Sequence, residues 1–277
     1  MASSGGELWK RTRVGAAVLA GVAALLWATD SSGRSWPVLA IGVALAVWGI
    51  LELSAMAALA PRAALVLGAT AALAGAALLV ERTYAQQVGL LFAGAALGCV
   101  LARLVEGRRR GPELALAWGL VVALPGLFLV HAGLGTRGLV GVILLSKIGD
   151  VAGYYVGSTL GRKLGSGHPF PRISPKKTTV GCAASLLTAV LAGGISAAAG
   201  MWPPPGLGAL SGWLWGGLLN LASQAGDLLE SAVKRRAQVK DSGRPFGPSG
   251  GLLDLVDSLL LCVPTALVAG RSLFDWS

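Results

Sequence analysis

The amino-acid sequence predicts an all-α polytopic integral membrane protein of about nine transmembrane helices, with the N-terminus inside and the C-terminus outside. Three observations carry that expectation. Of the 277 residues, 54% are hydrophobic and only 13% charged, and the mean hydropathy is +0.69, a composition unlike that of soluble globular or disordered chains. Apolar runs long enough for a crossing of about 20 residues recur along the chain. The basic residues between those runs alternate between dense and sparse segments.

Taken in order, the spans fall near 14–29, 37–60, 63–80, 86–105, 113–131, 138–160, 180–200, 207–229 and 252–270. The first follows Lys10, Arg11 and Arg13 as a signal peptide would, but its apolar run continues to Trp27 without a small-residue cleavage pattern, so it reads as a retained helix. With the N-terminus inside, the inner segments hold 18 Lys and Arg, and the outer ones hold four, Arg34, Arg82, Arg137 and Arg271. That asymmetry fixes the orientation by the positive-inside rule. The chain divides into a cytoplasmic tail (1–13), an N-terminal transmembrane region (14–135) and a C-terminal transmembrane region (136–277) with cytoplasmic loops 161–179 and 232–251. Arg108-Arg109-Arg110 reads as a topology determinant that touches anionic lipid. Pro203-Pro204-Pro205 is a rigid turn. No internal repeat points to a transporter built from two halves.

Two histidines and three cysteines, each cysteine alone in an apolar run, exclude multi-His zinc sites, CxxC pairs and a disulfide framework. A net charge of +10 favours anionic partners such as lipid headgroups, nucleotides or phosphates.

An Asp or Lys at a helix centre costs about 2.5 to 3.5 kcal/mol on insertion scales, so intramembrane charges mark function by default. In the N-terminal region only Glu52 and Arg103 stand out, and both read as snorkelling or packing residues. The C-terminal region is richer. Lys147 and Asp150 share a face of the sixth span that continues through Tyr154, Gly157 and Gly161. They form either an internal ion pair or the lining of a polar cavity. Ser223, Asp227, Glu230, Ser231 and Lys234 make one stripe at the end of the eighth span; surface amphipathicity accounts for its basic end but not for Asp227. A Gly- and Pro-rich loop, 238–251, follows. Asp254 and Asp257 then sit three apart at the start of the ninth span, where either the helix dipole or a Mg2+ ion explains them. Lys176 and Lys177 beside two hydroxyls and a helix start suit a phosphate site. The spacing of Gly157 to Gly161 with Arg162-Lys163 excludes a P-loop.

These residues resemble the phosphatidate cytidylyltransferases (CDP-diacylglycerol synthases). The family signature S-x-x-K-R-x4-K-D-x-G-x2-[LIF]-[PG]-x-H-G-G-x2-D-R-x-D is followed without a gap by Ser231, Lys234, Arg235, Lys240, Asp241, Gly243, Phe246, Gly247, Gly250, Gly251, Asp254 and Asp257. Ser223-Gln224 through Gly226-Asp227-Leu228 to Glu230 resembles the segment leading into it. Ile173 to Thr178 is similar to the family's ISPKKT loop, and Asp150 with Gly153-Tyr154-Tyr155 and Gly157 to its D-T-G-A-Y-x-x-G stretch. The likeness covers about residues 140–265. Ser249 replaces the signature His, Leu255 its Arg, and Val180 the usual Glu of the loop, which marks a divergent member.

The resemblance implies transfer of a cytidylyl group from CTP to phosphatidate, giving CDP-diacylglycerol and pyrophosphate. It further implies catalytic roles for Asp227, Lys234, Arg235, Asp241, Asp254 and Asp257, with the four carboxylates Asp227, Asp241, Asp254 and Asp257 serving Mg2+, with or without a monovalent cation. Asp150, Lys176, Lys177, Ser223, Ser231, Lys240, Gly250 and Gly251 would bind substrate. The expected partners are CTP, phosphatidate, membrane lipids and a second copy of the chain, with no nucleic acid, at an active site on the cytoplasmic face of the cell's inner membrane. Two rivals stay open. A CTP-dependent polyprenol, phytol or dolichol kinase would release CDP and a phosphorylated lipid, and a transporter or non-catalytic membrane protein would use Lys147, Asp150 and Asp227 along an ion path.

Overall fold

The computed structural model describes residues 20–31, 33–107, 110–161, 163–200, 209–247 and 250–274. Among these residues every regular element is a helix: α1 (20–31), α2 (Trp36–Ala57), α3 (Pro61–Ala77), α4 (Tyr84–Glu106), α5 (Gly111–Val156), α6 (Thr179–Ala198), α7 (Ala209–Arg236), α8 (Leu252–Val256) and α9 (Leu259–Phe274). Among the described residues four helical stretches are long and apolar enough to cross a membrane, namely Trp36–Ala57, Tyr84–Glu106, Gly111–Gly161 and Thr179–Ala198. Pro61–Ala77 and Leu259–Gly270 are shorter apolar helices. Part of the expected first span, Arg108-Arg109, Pro203-Pro204-Pro205 and Ser249 lie outside the described residues.

The helix boundaries follow local chemistry. Pro61 opens α3, where its missing N–H costs nothing. A capping box opens α4: Thr83 Oγ accepts from the Gln86 amide at 3.4 Å, and Gln86 Oε1 accepts from the Thr83 amide at 3.1 Å. Gly107 ends α4 in the left-handed conformation. The expected fifth and sixth spans run together in α5, broken by Gly135 at φ 66° and ψ −173°. The expected ninth span is instead two helices. Its first turns form the five-residue α8, and the chain turns at Asp257 and Ser258 before α9 begins.

The chain clusters into two compact units, one made of residues up to Phe128 with Val233–Asp257, the other of Leu129–Ala232 with the residues from Ser258 on. In the first, α2 packs on α3 and α3 on α4, around the buried side chains of Ile50, Leu53, Leu67, Leu91, Leu116, Leu120 and Leu124. Small residues set the helix spacing: a Cβ on Gly42 would strike the Leu124 carbonyl, and one on Gly98 would strike Thr70.

In the second unit the same device brings α5, α6 and α7 together. Gly216 of α7 lies against the Ala189 carbonyl of α6, and Gly149, Gly153 and Gly157 face Asn220, Ser185, Gly181 and Thr178. This corrects the expected polar face of the sixth span. Tyr154 is 71% exposed, whereas Gly157 and Gly161 are buried against Thr178. The row that packs is Gly149, Gly153, Gly157 and Gly161, each four residues from the last. Its final turn widens into a π-helix at Gly157–Gly161.

Candidate active site

In the first unit the site residues are gathered around the loop that follows α7. The helix ends in a Schellman arrangement: the Val239 amide donates to the Lys234 carbonyl at 3.0 Å and the Gln238 amide to Arg235 at 3.2 Å, with Gln238 itself at φ 57°. Further on, Ser242 donates to Asp254 Oδ2 twice, from its amide at 2.9 Å and its hydroxyl at 2.7 Å. The Gly251 amide adds a third bond to that oxygen at 2.8 Å. The other oxygen, Oδ1, accepts from Lys234 Nζ at 2.7 Å. Burial pushes the Asp254 carboxyl up, but the hydrogen bonds from Lys234, Gly251 and Ser242 outweigh it and hold the group below the usual carboxylate range.

A second carboxylate joins this cluster from α2. Glu52 Oε1 lies 2.5 Å from Ser242 Oγ and accepts from the Leu253 amide at 3.0 Å, while Oε2 accepts from the Leu252 amide at 2.9 Å. Three successive amides at the start of α8 thus end on carboxylate oxygens, which meets both their hydrogen-bonding need and the helix dipole. One turn earlier on α2, Trp48 stacks on Phe246 of the loop at 5.7 Å between ring centroids. The paired glycines make this possible. Gly250 sits at φ 85°, and a Cβ on Gly251 would collide with Glu52 Oε1 and Ser242 Oγ.

Close by in the same unit, Glu113 of α5 is 2% exposed and takes Arg236 Nε at 3.2 Å and Arg110 Nη1 at 3.9 Å. Arg110 also reaches Glu106 and donates to the Ala57 and Ala58 carbonyls that end α2. The basic end of α7 is therefore partly structural.

In the second unit the central feature is an ion pair. Lys177 Nζ lies 2.5 Å from Asp227 Oδ2, joining the 162–178 loop to α7. Ser231 Oγ donates to Asp227 Oδ1 at 3.3 Å, four residues along the helix. The loop is held at the start of α6. Thr178 caps the helix through the Gly181 amide at 3.1 Å, Ser166 Oγ accepts from the Val180 amide at 3.1 Å, and His168 Nδ1 lies 3.2 Å from the Lys177 carbonyl. Behind the pair runs a polar ladder in which Gln224 Nε2 donates to Asn220 Oδ1 at 2.7 Å and Asn220 Nδ2 to Ser185 Oγ at 3.0 Å. Two sequence segments fifty residues apart, each carrying a motif, thus meet at one carboxylate.

The family model described as the cytidylyltransferase family matches residues 9–273. This chain belongs to the cytidylyltransferase family. A phosphatidate cytidylyltransferase of Brucella suis is 32% identical over 258 residues, which span 90% of this chain and 89% of the relative. Matches to the phosphatidate cytidylyltransferases of Mycobacterium bovis and Bacillus subtilis are 37% and 40% identical but shorter, covering 52% and 42% of this chain and only 44% and 40% of those relatives. The cytidylyltransferase match reaches well into the N-terminal half, beyond residues 140–265 where the motifs lie.

Against this background the expected site residues sort by what they touch. Lys177, Asp227 and Ser231 come together in one unit, Lys234, Gly250, Gly251 and Asp254 in the other. Ser223 is buried and donates to the Ser146 carbonyl at 2.8 Å, so its hydroxyl joins two helices. Lys176, Arg235, Lys240 and Asp241 are exposed, Arg235 donating to the Val239 carbonyl at 3.4 Å, while Asp150 and Asp257 are half-buried. Leu255 is half-buried as well. Sequence reasoning passed over Ser242, Glu113 and the capping role of Glu52. The signal for Glu52 was present, a lone carboxylate in an apolar span, but its partners lie 190 to 201 residues away.

Proposed function

We propose that the chain transfers the cytidylyl group of CTP to phosphatidate. An oxygen of the lipid phosphate attacks the α-phosphorus of CTP, the new P–O bond forms as the bond to the β-phosphate oxygen breaks, and pyrophosphate leaves. A lipid phosphate is already anionic at neutral pH and needs no general base, so the protein's task is positioning and charge neutralisation. The observation that carries this reading is the Lys177–Asp227 pair, because it unites the ISPKKT-type loop with the segment that leads into the signature. Lys177, together with Lys176, Lys234, Arg235 and Lys240, supplies cationic donors for nucleotide and lipid phosphates, with Asp150 and Ser231 completing the polar lining.

The family likeness implies Mg2+, and the donor chemistry fits a hard cation, which takes carboxylate oxygens and substrate phosphates. Asp254 already receives four hydrogen bonds from protein donors. We therefore give Asp254 the task of holding Lys234 and the loop, and keep Asp227, Asp241, Asp254 and Asp257 as the carboxylate set that the family likeness implies for the ion. When bound, Mg2+ offsets negative charge on the nucleotide phosphates. Glu230, buried and three residues from Asp227 on α7, extends the same helical face.

Nine spans, an N-in and C-out orientation, an inner-membrane location with the site facing the cytoplasm, and a homodimer complete the proposal. The division of 18 inner against four outer basic residues supports the orientation. Cysteine-accessibility labelling is expected to find residues 176 and 244 on one side and 137 on the other. Purified protein given CTP, Mg2+ and phosphatidate in mixed micelles should form CDP-diacylglycerol and pyrophosphate in equal amounts. Release of CDP with a phosphorylated lipid alcohol would instead identify a kinase, and no CTP turnover would overturn both.

A further inference from the structure

We propose that Glu52 is a positioning residue of the cytidylyl-transfer site, clamping the start of α8 and, through Ser242, setting Asp254 and the Lys234 ammonium. The inference rests on the reading above and extends the site to a helix outside the motif-bearing half.

The geometry is specific to a carboxylate. Three donors converge on Glu52: the amides of Leu252 and Leu253 and the hydroxyl of Ser242. Each oxygen faces at least one of them, so a glutamine in the same place would turn its NH2 toward a donor and leave one amide of α8 without an acceptor. Ser242 stands between Glu52 and Asp254, at 2.5 and 2.7 Å from the two carboxylates, and its single hydroxyl proton serves one of them at a time. Moving Glu52 therefore moves Ser242, whose amide and hydroxyl both fix Asp254 Oδ2, and Asp254 fixes Lys234. Gly243 and Gly251 close around the same carboxylate, leaving no space for a larger residue or a second arrangement. Independent support for the placement comes from Trp48, four residues earlier on α2, which holds Phe246 of the same loop. A snorkelling residue at a helix end would hold neither.

The experiment uses full-length protein in detergent micelles and compares wild type with Glu52→Gln by two readouts. Hydrogen exchange of peptides covering 250–257 is expected to speed up about tenfold or more, while peptides of α3 and α6 stay at the wild-type rate. Turnover per molecule of monodisperse protein is expected to fall about tenfold to a hundredfold, the scale set by a small misplacement of reacting groups. KM for CTP should change less than kcat, because Lys177 is held by contacts that do not involve Glu52. A residue that only stabilised the fold would lower the yield of monodisperse protein and leave kcat per molecule unchanged. Should Glu52→Gln fail to fold, Ser242→Ala, which removes only the hydroxyl link, is expected to give the same kcat loss in weaker form.

Unchanged exchange at 250–257, or faster exchange with wild-type kcat, overturns the proposal. A wild type that makes no CDP-diacylglycerol overturns the functional reading instead, and exchange alone then decides whether Glu52 clamps α8.

Discussion

Two charged clusters in this protein use the same residue types to opposite ends. Around Asp254 every carboxylate oxygen is engaged: Asp254 and Glu52 together take five bonds from amides and Lys234, and share the single proton of the Ser242 hydroxyl, all from donors within the same unit. Around Asp227 the account is sparse. Among the described residues, Lys177 Nζ is buried with Asp227 as its ion-pair partner and no hydrogen-bond acceptor besides, although an ammonium carries three protons. A cluster whose oxygens all hold protein donors gains less from a ligand and behaves as scaffold. An unsaturated one, costly to bury, is stabilised when an anion arrives. Under the proposed function, ligand chemistry falls to the Lys177–Asp227 pair and architecture to the Glu52–Ser242–Asp254 clasp.

The largest effect is expected where the cluster is sparse. Asp227→Asn removes one charge at constant volume, and Lys177→Met removes its partner. Each should lower kcat/KM for CTP by about two to three orders of magnitude, the scale found when one preorganised charge partner is lost. Lys177→Met should leave the melting temperature within a few degrees of wild type, whereas Asp227→Asn, which leaves the buried ammonium uncompensated, should also lower it. The double mutant is expected to be little worse than either single one, since the two act as a unit. Additive losses would separate Lys177 from Asp227 and undo the comparison on its catalytic side.

In the clasp, stability should respond first. Asp254→Asn removes the carboxylate charge that faces the Lys234 ammonium and turns an NH2 toward donors, which costs about 1 to 3 kcal/mol. Its side chain is only 14% exposed, so solvent screening is modest. A lower melting temperature in detergent measures that cost. The pH dependence follows from the depressed Asp254 carboxyl. Its contribution is complete above the ordinary carboxylate value of about 3.9 and disappears as pH falls through the lower folded-state value. The gap in melting temperature between wild type and Asp254→Asn should therefore be full at neutral pH and close below about pH 4. A gap that widened on acidification would mean that the ionised form is not what the clasp stabilises.

How much of this was legible in the sequence depends on whether the cause was local. Composition and apolar runs gave the helical membrane class, and Pro61, Thr83 and Gly107 mark helix ends by rules that act within a few residues. Lys177 and Asp227, singled out separately because each lies in a motif-bearing segment, do meet. The clasp was hidden because its parts are separated by about two hundred residues and a lone glutamate looks the same whether it snorkels or caps. What the periodicity missed is the break in the expected ninth span: it assumes an unbroken helix, and α8 stops at Val256, although Asp257 keeps helical dihedrals and its amide still donates to the Leu253 carbonyl. On α5 the periodic signal was real but the small residues, not the polar ones, chose the packed face.

The smallest effect tests whether the clasp or the backbone holds the loop. Gln238 ends α7 at φ 57°, a conformation that costs a side-chain-bearing residue roughly 1 to 2 kcal/mol and glycine almost nothing. Glycine also has more freedom to lose on folding, which offsets part of the gain. Gln238→Gly should thus stabilise the protein by under about 1 kcal/mol, raising the melting temperature by roughly one to three degrees. Turnover should not change, because Val239 and Gln238 donate through backbone amides that glycine retains, and because Ser242 is fixed by Glu52 and Asp254 rather than by the turn before it. If Gln238→Gly instead lowered kcat and sped exchange across 240–251, the loop would owe its shape to the restricted turn at the end of α7. The clasp would then be a consequence of that turn, and the contrast between a scaffold cluster and a ligand cluster would have to be redrawn around Gln238.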